Sequence, residues 1–120
     1  MTTPRILLFD SGMGGLTVAR AVRSQLPEAH LIYSGDNAGF PYGAWKEDAL
    51  VTRILDVIGA LIERTEPHIV VIACNTASAI AAPALREHFP DVPILGMIGP
   101  GSRAAMAATR NGRIGVIATA

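Results

Sequence analysis

The sequence predicts an α/β protein built on an open, mostly parallel sheet with helices on both faces. Three observations predict it. Short apolar runs alternate with amphipathic stretches, turn or cap residues mark each junction, and one run, Ile69-Val70-Val71-Ile72-Ala73, is unbroken and largely β-branched. Such alternation is the pattern of repeated βα units. An uninterrupted apolar run is how a central parallel strand, covered on both faces, reads.

Taken in order, the first strand is Arg5-Ile6-Leu7-Leu8-Phe9, followed by the glycine-rich Ser11-Gly12-Met13-Gly14-Gly15. Val18, Ala19, Val22 and Leu26 then recur at helical spacing as far as Pro27, which cannot continue a helix. His30-Leu31-Ile32-Tyr33 is the second strand, closed by Ser34-Gly35-Asp36. Residues 37–45, Asn-Ala-Gly-Phe-Pro-Tyr-Gly-Ala-Trp, hold too much glycine and proline for regular structure and are expected to form a surface loop, where function often sits. From Glu47 onward, Leu50, Ile54, Val57, Ile58, Leu61 and Ile62 draw the apolar face of a helix of about five turns that ends before Pro67.

After the β-branched third strand, Asn75-Thr76-Ala77-Ser78 opens a helix running through Leu85 and Phe89, with Pro83 placed to kink or restart it. Pro93-Ile94-Leu95-Gly96-Met97 is a fourth strand, Ser102 to Thr109 a short alanine-rich helix, and Ile114-Gly115-Val116-Ile117-Ala118 a fifth strand. Gly99-Pro100-Gly101 reads as a hinge between two lobes. Ending on a strand without the helix that should cover it suggests a fragment of a longer protein.

Composition narrows the function. The chain has 120 residues, 50% of them hydrophobic and 17% charged, with ten Lys plus Arg against ten Asp plus Glu. That balance points away from nucleic acid and from anionic membranes, and toward a small neutral or zwitterionic ligand. The apolar run Ile6-Leu7-Leu8-Phe9 is too short for a signal-peptide core or a spanning helix, so a cytoplasmic protein is expected. A single cysteine forms no internal disulfide and leaves no CxxC metal or redox pattern. His30, His68 and His88 lack metal-ligand spacing, so no structural metal is expected.

Ligands of open parallel sheets bind beyond the carboxyl ends of the strands. Asp10 and Ser11 follow the first strand, Asp36 the second, Cys74 with Asn75 and Thr76 the third, and Thr119 the fifth. Each group has two readings. Asp10 or Ser11 either caps the next helix or, with the glycines, faces an anion. Cys74 is either a small buried hydrophobe or a thiol at a helix N-terminus, whose dipole favours the thiolate. Asn75 and Thr76 either cap that helix or offer hydrogen bonds to a ligand. Tyr42 and Gly43 are either an ordinary turn with a packed tyrosine or donors to a carboxylate, while Trp45 reads as a packing residue. Gly12-Met13-Gly14, with Asp36 22 residues after Gly14, opens like a dinucleotide fingerprint. Thr17 stands where its third glycine belongs, which weighs against a nucleotide.

Four ordered segments carry a resemblance: Phe9-Asp10-Ser11-Gly12-Met13-Gly14-Gly15-Leu16-Thr17-Val18; Gly35-Asp36 leading to Pro41-Tyr42-Gly43; Ile72-Ala73-Cys74-Asn75-Thr76-Ala77-Ser78; and Ile114-Gly115-Val116-Ile117-Ala118-Thr119. Together they resemble the first part of the glutamate racemases. The resemblance implies a cofactor-independent isomerase that interconverts L- and D-glutamate and supplies the D-isomer for peptidoglycan synthesis. It implies two cysteines on opposite sides of the substrate α-carbon, with Cys74 the first of them. Asp10, Ser11, Tyr42, Gly43, Asn75 and Thr76 match the family's substrate contacts, Thr119 matches a less certain one, and Asp10 is also placed to tune or orient the chemistry. Members are often dimers, so a homodimer is compatible with it.

On this reading residues 1–97 form an N-terminal lobe and residues 98–120 a hinge with the first helix and strand of a second lobe. Gly99 stands where many members carry glutamate, and the second cysteine, in a Cys-Thr-His motif, is absent from these 120 residues. Two other readings follow: a non-catalytic glutamate-binding half-site, and an enzyme closer to the aspartate racemases.

Overall fold

The structure, a computed structural model, describes residues 3–118. Four strands, β1 (Arg5–Asp10), β2 (His30–Gly35), β3 (Ile69–Ile72) and β4 (Ile94–Leu95), alternate with four helices, α1 (Leu16–Gln25), α2 (Glu47–Thr65), α3 (Asn75–His88) and α4 (Ile98–Ala108). All strand pairs are parallel, and the order across the sheet is β2-β1-β3-β4. Leu7 is aligned between Ile32 and Val70, and Phe9 between Ser34 and Ile72. The chain winds outward from β1 to β2 and then passes back across β1 to reach β3. In an open α/β sheet that reversal leaves a crevice at the carboxyl ends of the two strands.

Side chains along a strand alternate between faces, and β1 uses both for burial. Leu7 and Phe9 join Leu50, Ile54 and Ile58 of α2 and Ala77, Ala81 and Leu85 of α3 in the larger core cluster. Ile6 and Leu8 pack on the opposite face with Val71 and with Val18, Ala19 and Val22 of α1. The four-residue spacing of Leu50, Ile54 and Ile58 therefore produces the buried stripe expected of α2.

Helix ends follow local chemistry. Glu66 caps α2 in the left-handed region at φ 45°, and its carbonyl accepts two bonds from the Arg5 guanidinium, at 2.9 and 2.6 Å. That pair ties the end of α2 to the start of β1. Pro83 lies inside α3 without ending it. Both Pro83 and Ala79, whose carbonyl loses its N–H partner to the proline ring, are exposed, so water can serve that carbonyl.

Three segments differ from the sequence expectation. Residues 37–45 are not wholly irregular: single 3₁₀ turns form at Asn37–Gly39 and Tyr42–Ala44. Gly99-Pro100-Gly101 is not a loop but the first turn of α4, where a proline costs little because its N–H would have no helical acceptor. Ile114–Ala118 is not a strand. Apolar alternation records only a readiness to pair, and no neighbouring backbone meets this segment among the described residues: Val116 is 84% and Ile117 102% exposed. Among the described residues no helix is long and apolar enough to cross a membrane.

Packing at the α2 stripe has a measurable consequence. Ile54→Ala should lower unfolding free energy by about 2–5 kcal/mol, whereas Asp56→Ala on the exposed face of the same helix should change it by less than about 0.5 kcal/mol. Urea titrations compare the two, and equal shifts would contradict the burial of Ile54.

Candidate active site

At the crevice between β1 and β3 the structure holds a cleft of about 600 Å³, open to solvent. It is lined by Asp10 at the end of β1, by Ala73, Cys74, Asn75 and Thr76 after β3, by Gly14 and Thr17 before and within α1, and by Pro100 and Gly101 of α4. A second depression of about 500 Å³ lies against α1, lined by Leu16, Thr17, Ala19, Arg20, Arg23 and Leu31.

Cys74 is buried and stands at the N-terminus of α3. Its residue is only 8% exposed and belongs to the larger core cluster, yet it lines the cleft. It is the N-cap of α3, and its sulfur accepts a hydrogen bond from the Ala77 N–H at 3.5 Å. Its own S–H donates to Ser11 Oγ across 3.7 Å. Because the sulfur itself caps the helix, neither Asn75 nor Thr76 does. They occupy the first two helical positions, where backbone N–H groups point out of the helix end without an internal acceptor.

Asp10 sits at the end of β1, buried, and Oδ2 accepts from the Gly15 N–H at 2.8 Å. The N-cap position of α1 belongs to Gly15 itself, so Asp10 serves the helix entrance from five residues upstream rather than as the cap. Glycine is required at 15, since a Cβ there would lie 2.9 Å from Asp10 Cβ and 3.0 Å from Ala73 Cβ. The N–H of Gly15 is thus taken up within the protein and does not face an anion. Tyr33, unmarked in the sequence beyond its place in β2, reaches the same corner. Its hydroxyl proton is shared between the Gly12 carbonyl at 2.8 Å and Asp10 Oδ2 at 3.3 Å.

Tyr42 follows the first of its two sequence readings, a packed tyrosine in a turn. The residue is 3% exposed, packs against Phe9 in the core, and donates its hydroxyl to Asp36 Oδ2 at 2.6 Å. That hydroxyl is therefore not a free donor for a ligand. The Tyr42 and Gly43 backbone N–H groups, at the start of their 3₁₀ turn, have no acceptor among the described residues, and this turn packs against α3.

Asp36 is likewise removed from ligand chemistry, because Arg53 grips its carboxylate with Nε at 2.7 Å and Nη2 at 2.6 Å. A ribose-binding role for Asp36 is thereby excluded. Trp45 does more than pack: its ring lies 5.5 Å from the Arg53 guanidinium carbon and its Nε1–H donates to the Gly39 carbonyl at 2.8 Å. Arg53 escaped the sequence reading, although a cation three residues after Leu50 and adjacent to Ile54 on an apolar stripe is a signal of a buried partner. Thr119 lies outside the described residues.

The cleft thus brings together Asp10, Cys74, Asn75 and Thr76 at the strand ends, with Ser11 bonded to the Cys74 sulfur behind this lining, while Tyr42 and Gly43 do not line it and their turn packs against α3. Residues 16–120 match the Asp/Glu/hydantoin racemase family. The chain belongs to that family. A glutamate racemase of Mesorhizobium japonicum is 50% identical over 119 residues, which cover 99% of this racemase-family chain and 45% of that protein. The structure of glutamate racemase from Aquifex pyrophilus matches with a TM-score of 0.85 at 39% identity, over 91% of this chain and 42% of that one. Escherichia coli glutamate racemase in complex with L-glutamate and the activator UDP-MurNAc-Ala matches with a TM-score of 0.79 at 44% identity, over 92% and 41%. The chain spans less than half the length of the relatives it matches.

Ionisable groups around this racemase-family cleft make its stability depend on pH at both extremes. Burial, then the charge of Asp10, pushes Tyr33 up to about 12, and burial with Asp36 raises Tyr42 as well. Tyrosines raised in the fold contribute stability that is complete below their ordinary value of 10 and is lost as pH climbs through the folded value. Arg53, chiefly, holds the Asp36 carboxyl below its usual 3.8, so its contribution is complete above 3.8 and is lost as pH falls through the lowered value. Urea titrations across pH should show a shallower alkaline decline in Tyr33→Phe and a shallower acid decline in Asp36→Asn. Unchanged slopes would contradict these assignments.

Proposed function

We propose that the whole protein is a glutamate racemase, interconverting L- and D-glutamate without a cofactor, and that Cys74 is one of its two acid/base groups. The observation that carries this reading is the placement of Cys74: a sulfur capping α3, lining a cleft at the sheet's winding reversal, next to the Asn75 and Thr76 N–H groups, which have no acceptor among the described residues. Family membership and the glutamate racemase relatives support the substrate.

The chemistry is proton exchange at a carbon next to a carboxylate, where the α-proton is weakly acidic. A carbanion-like transition state then needs donors already aimed at the carboxylate oxygens in a water-poor site. The N–H groups of Asn75 and Thr76 are the donors we assign to it, and those of Tyr42 and Gly43 are assigned to the side-chain carboxylate of the substrate, whose charge does not change. Tyr42 contributes through its backbone, since its hydroxyl is held by Asp36. Cys74 takes the α-proton as general base, while a second group delivers a proton to the opposite face and inverts the centre.

Cys74 is the single cysteine of the 120 residues, so the second group comes from the part of the relatives' length that this chain does not cover. Asp10 has one oxygen engaged by Gly15, and its other oxygen is assigned to the substrate ammonium. Ser11 orients the thiol, and Thr119 remains a proposed contact.

Residues 1–97 are proposed as the first lobe and 98–120 as the start of a second, in keeping with the absence of buried residues in α4. A cytoplasmic homodimer supplying D-glutamate for peptidoglycan completes the proposal. The small zwitterionic substrate suits a chain whose charges balance.

The test is solvent exchange. The full-length protein incubated with L- or D-glutamate in D2O should place deuterium at the α-carbon, and Cys74→Ala should slow this by about a hundredfold to ten-thousandfold. Absence of incorporation by the parent protein, or a parental rate in Cys74→Ala, would sink the reading.

A further inference from the structure

Outside the cleft, the densest polar cluster among the described residues is built on one carboxylate. Asp36 continues the β1–β2 pairing, with its N–H donating to the Asp10 carbonyl at 2.9 Å. Its side chain is 5% exposed and accepts from the Arg53 Nε and Nη2, from the Tyr42 hydroxyl at 2.6 Å, and from the Gly39 N–H at 3.3 Å. Arg53 comes from α2, while Gly39 and Tyr42 come from the two 3₁₀ turns, so the pair joins β2, the loop and the helix. Trp45 closes the outside by stacking on the guanidinium and bonding the Gly39 carbonyl. The loop is fitted closely to this pair. A Cβ at Gly39 would lie 2.5 Å from Arg53 Nε and 2.6 Å from Asp36 Oδ2, which leaves room only for glycine.

Two features connect the cluster to the cleft. Tyr42 shares the core cluster with Cys74 and Ala77, and the turn that it opens packs on α3. The same turn carries the Tyr42 and Gly43 N–H groups that have no acceptor among the described residues. Pairing also matters for charge: an unpaired carboxylate at 36 would repel an anion held by those donors, whereas the bidentate pair presents none of that charge.

We propose that Asp36 and Arg53 are positioning residues that hold the Tyr42–Gly43 turn in place and neutralise it, so that it receives a substrate carboxylate. The proposal rests on the reading of the cleft as a glutamate site. The carboxylate assigned to this turn is the one remote from the reacting carbon, so its charge, and the binding it supplies, are the same in ground and transition states. Loss of that binding therefore falls on KM rather than kcat.

Arg53→Gln, Asp36→Asn, Arg53→Lys and the Asp36→Asn/Arg53→Gln double variant, made in the full-length protein, test it. Arg53→Gln should raise KM for glutamate by about tenfold while kcat stays within about threefold. The double variant should recover part of that loss, because no charge is left without a partner. Arg53→Lys, which keeps the charge but not the two-pronged geometry, should fall between parent and Arg53→Gln. A KM within about twofold of the parent in both single variants, with only the melting temperature lowered, overturns the proposal.

If the parent protein shows no turnover of glutamate, the glutamate reading falls by itself, and the positioning claim is decided on the free protein. Amide resonances of Tyr42 and Gly43 should then shift in Arg53→Gln, and unmoved resonances overturn it.

Discussion

Burial of β1 and β3 on both faces is the constraint from which the rest of the structure follows. A parallel strand with helices on either side has no solvent face, so Leu7, Leu8 and Phe9, like Val70 and Ile72, must be apolar along their whole length. Polar chemistry can begin only where the strands leave the layers. That point is Asp10 on one strand and Cys74, after Ala73, on its neighbour. Because the winding reverses between these two strands, no loop crosses the gap and the two groups share a cleft.

Cys74 shows how a single residue meets two demands. As a small hydrophobe it completes the core beside Tyr42 and Ala77, and as a cap it accepts the Ala77 N–H. A serine or aspartate would cap better by preference alone, but would place a strongly hydrated group against that core. Sulfur is polarizable enough for both roles. The Asn75 and Thr76 N–H groups that follow the cap have no acceptor among the described residues.

The acids at the ends of β1 and β2 are treated in opposite ways. Asp10 accepts from a backbone N–H and shares a tyrosine proton, with no cation bound among the described residues, and it faces the cleft. Asp36 is saturated by a guanidinium, a phenol and a backbone N–H, and it faces the loop. Similar residues at equivalent strand ends thus divide into one that meets the ligand space and one that builds the wall beside it. Partners contributed by distant segments make that division, with Arg53 the decisive one.

Much of this was legible in the residues themselves. Alternating apolar runs, the α2 stripe of Leu50, Ile54 and Ile58, and the β-branched third strand determined a parallel α/β layer structure, because periodicity and burial are local properties of a chain. Ordered motifs around Asp10, Tyr42 and Cys74 marked the family. Tertiary structure alone decided which donor meets which acceptor: that Tyr42 gives its hydroxyl to Asp36, that Arg53 rather than a ligand occupies that carboxylate, and that Tyr33 reaches Asp10. It also decided that Ile114–Ala118 pairs with no strand among the described residues, since a strand exists only beside another backbone. These are contacts between segments far apart in the chain, and no spacing within one segment encodes the direction in which a side chain meets another.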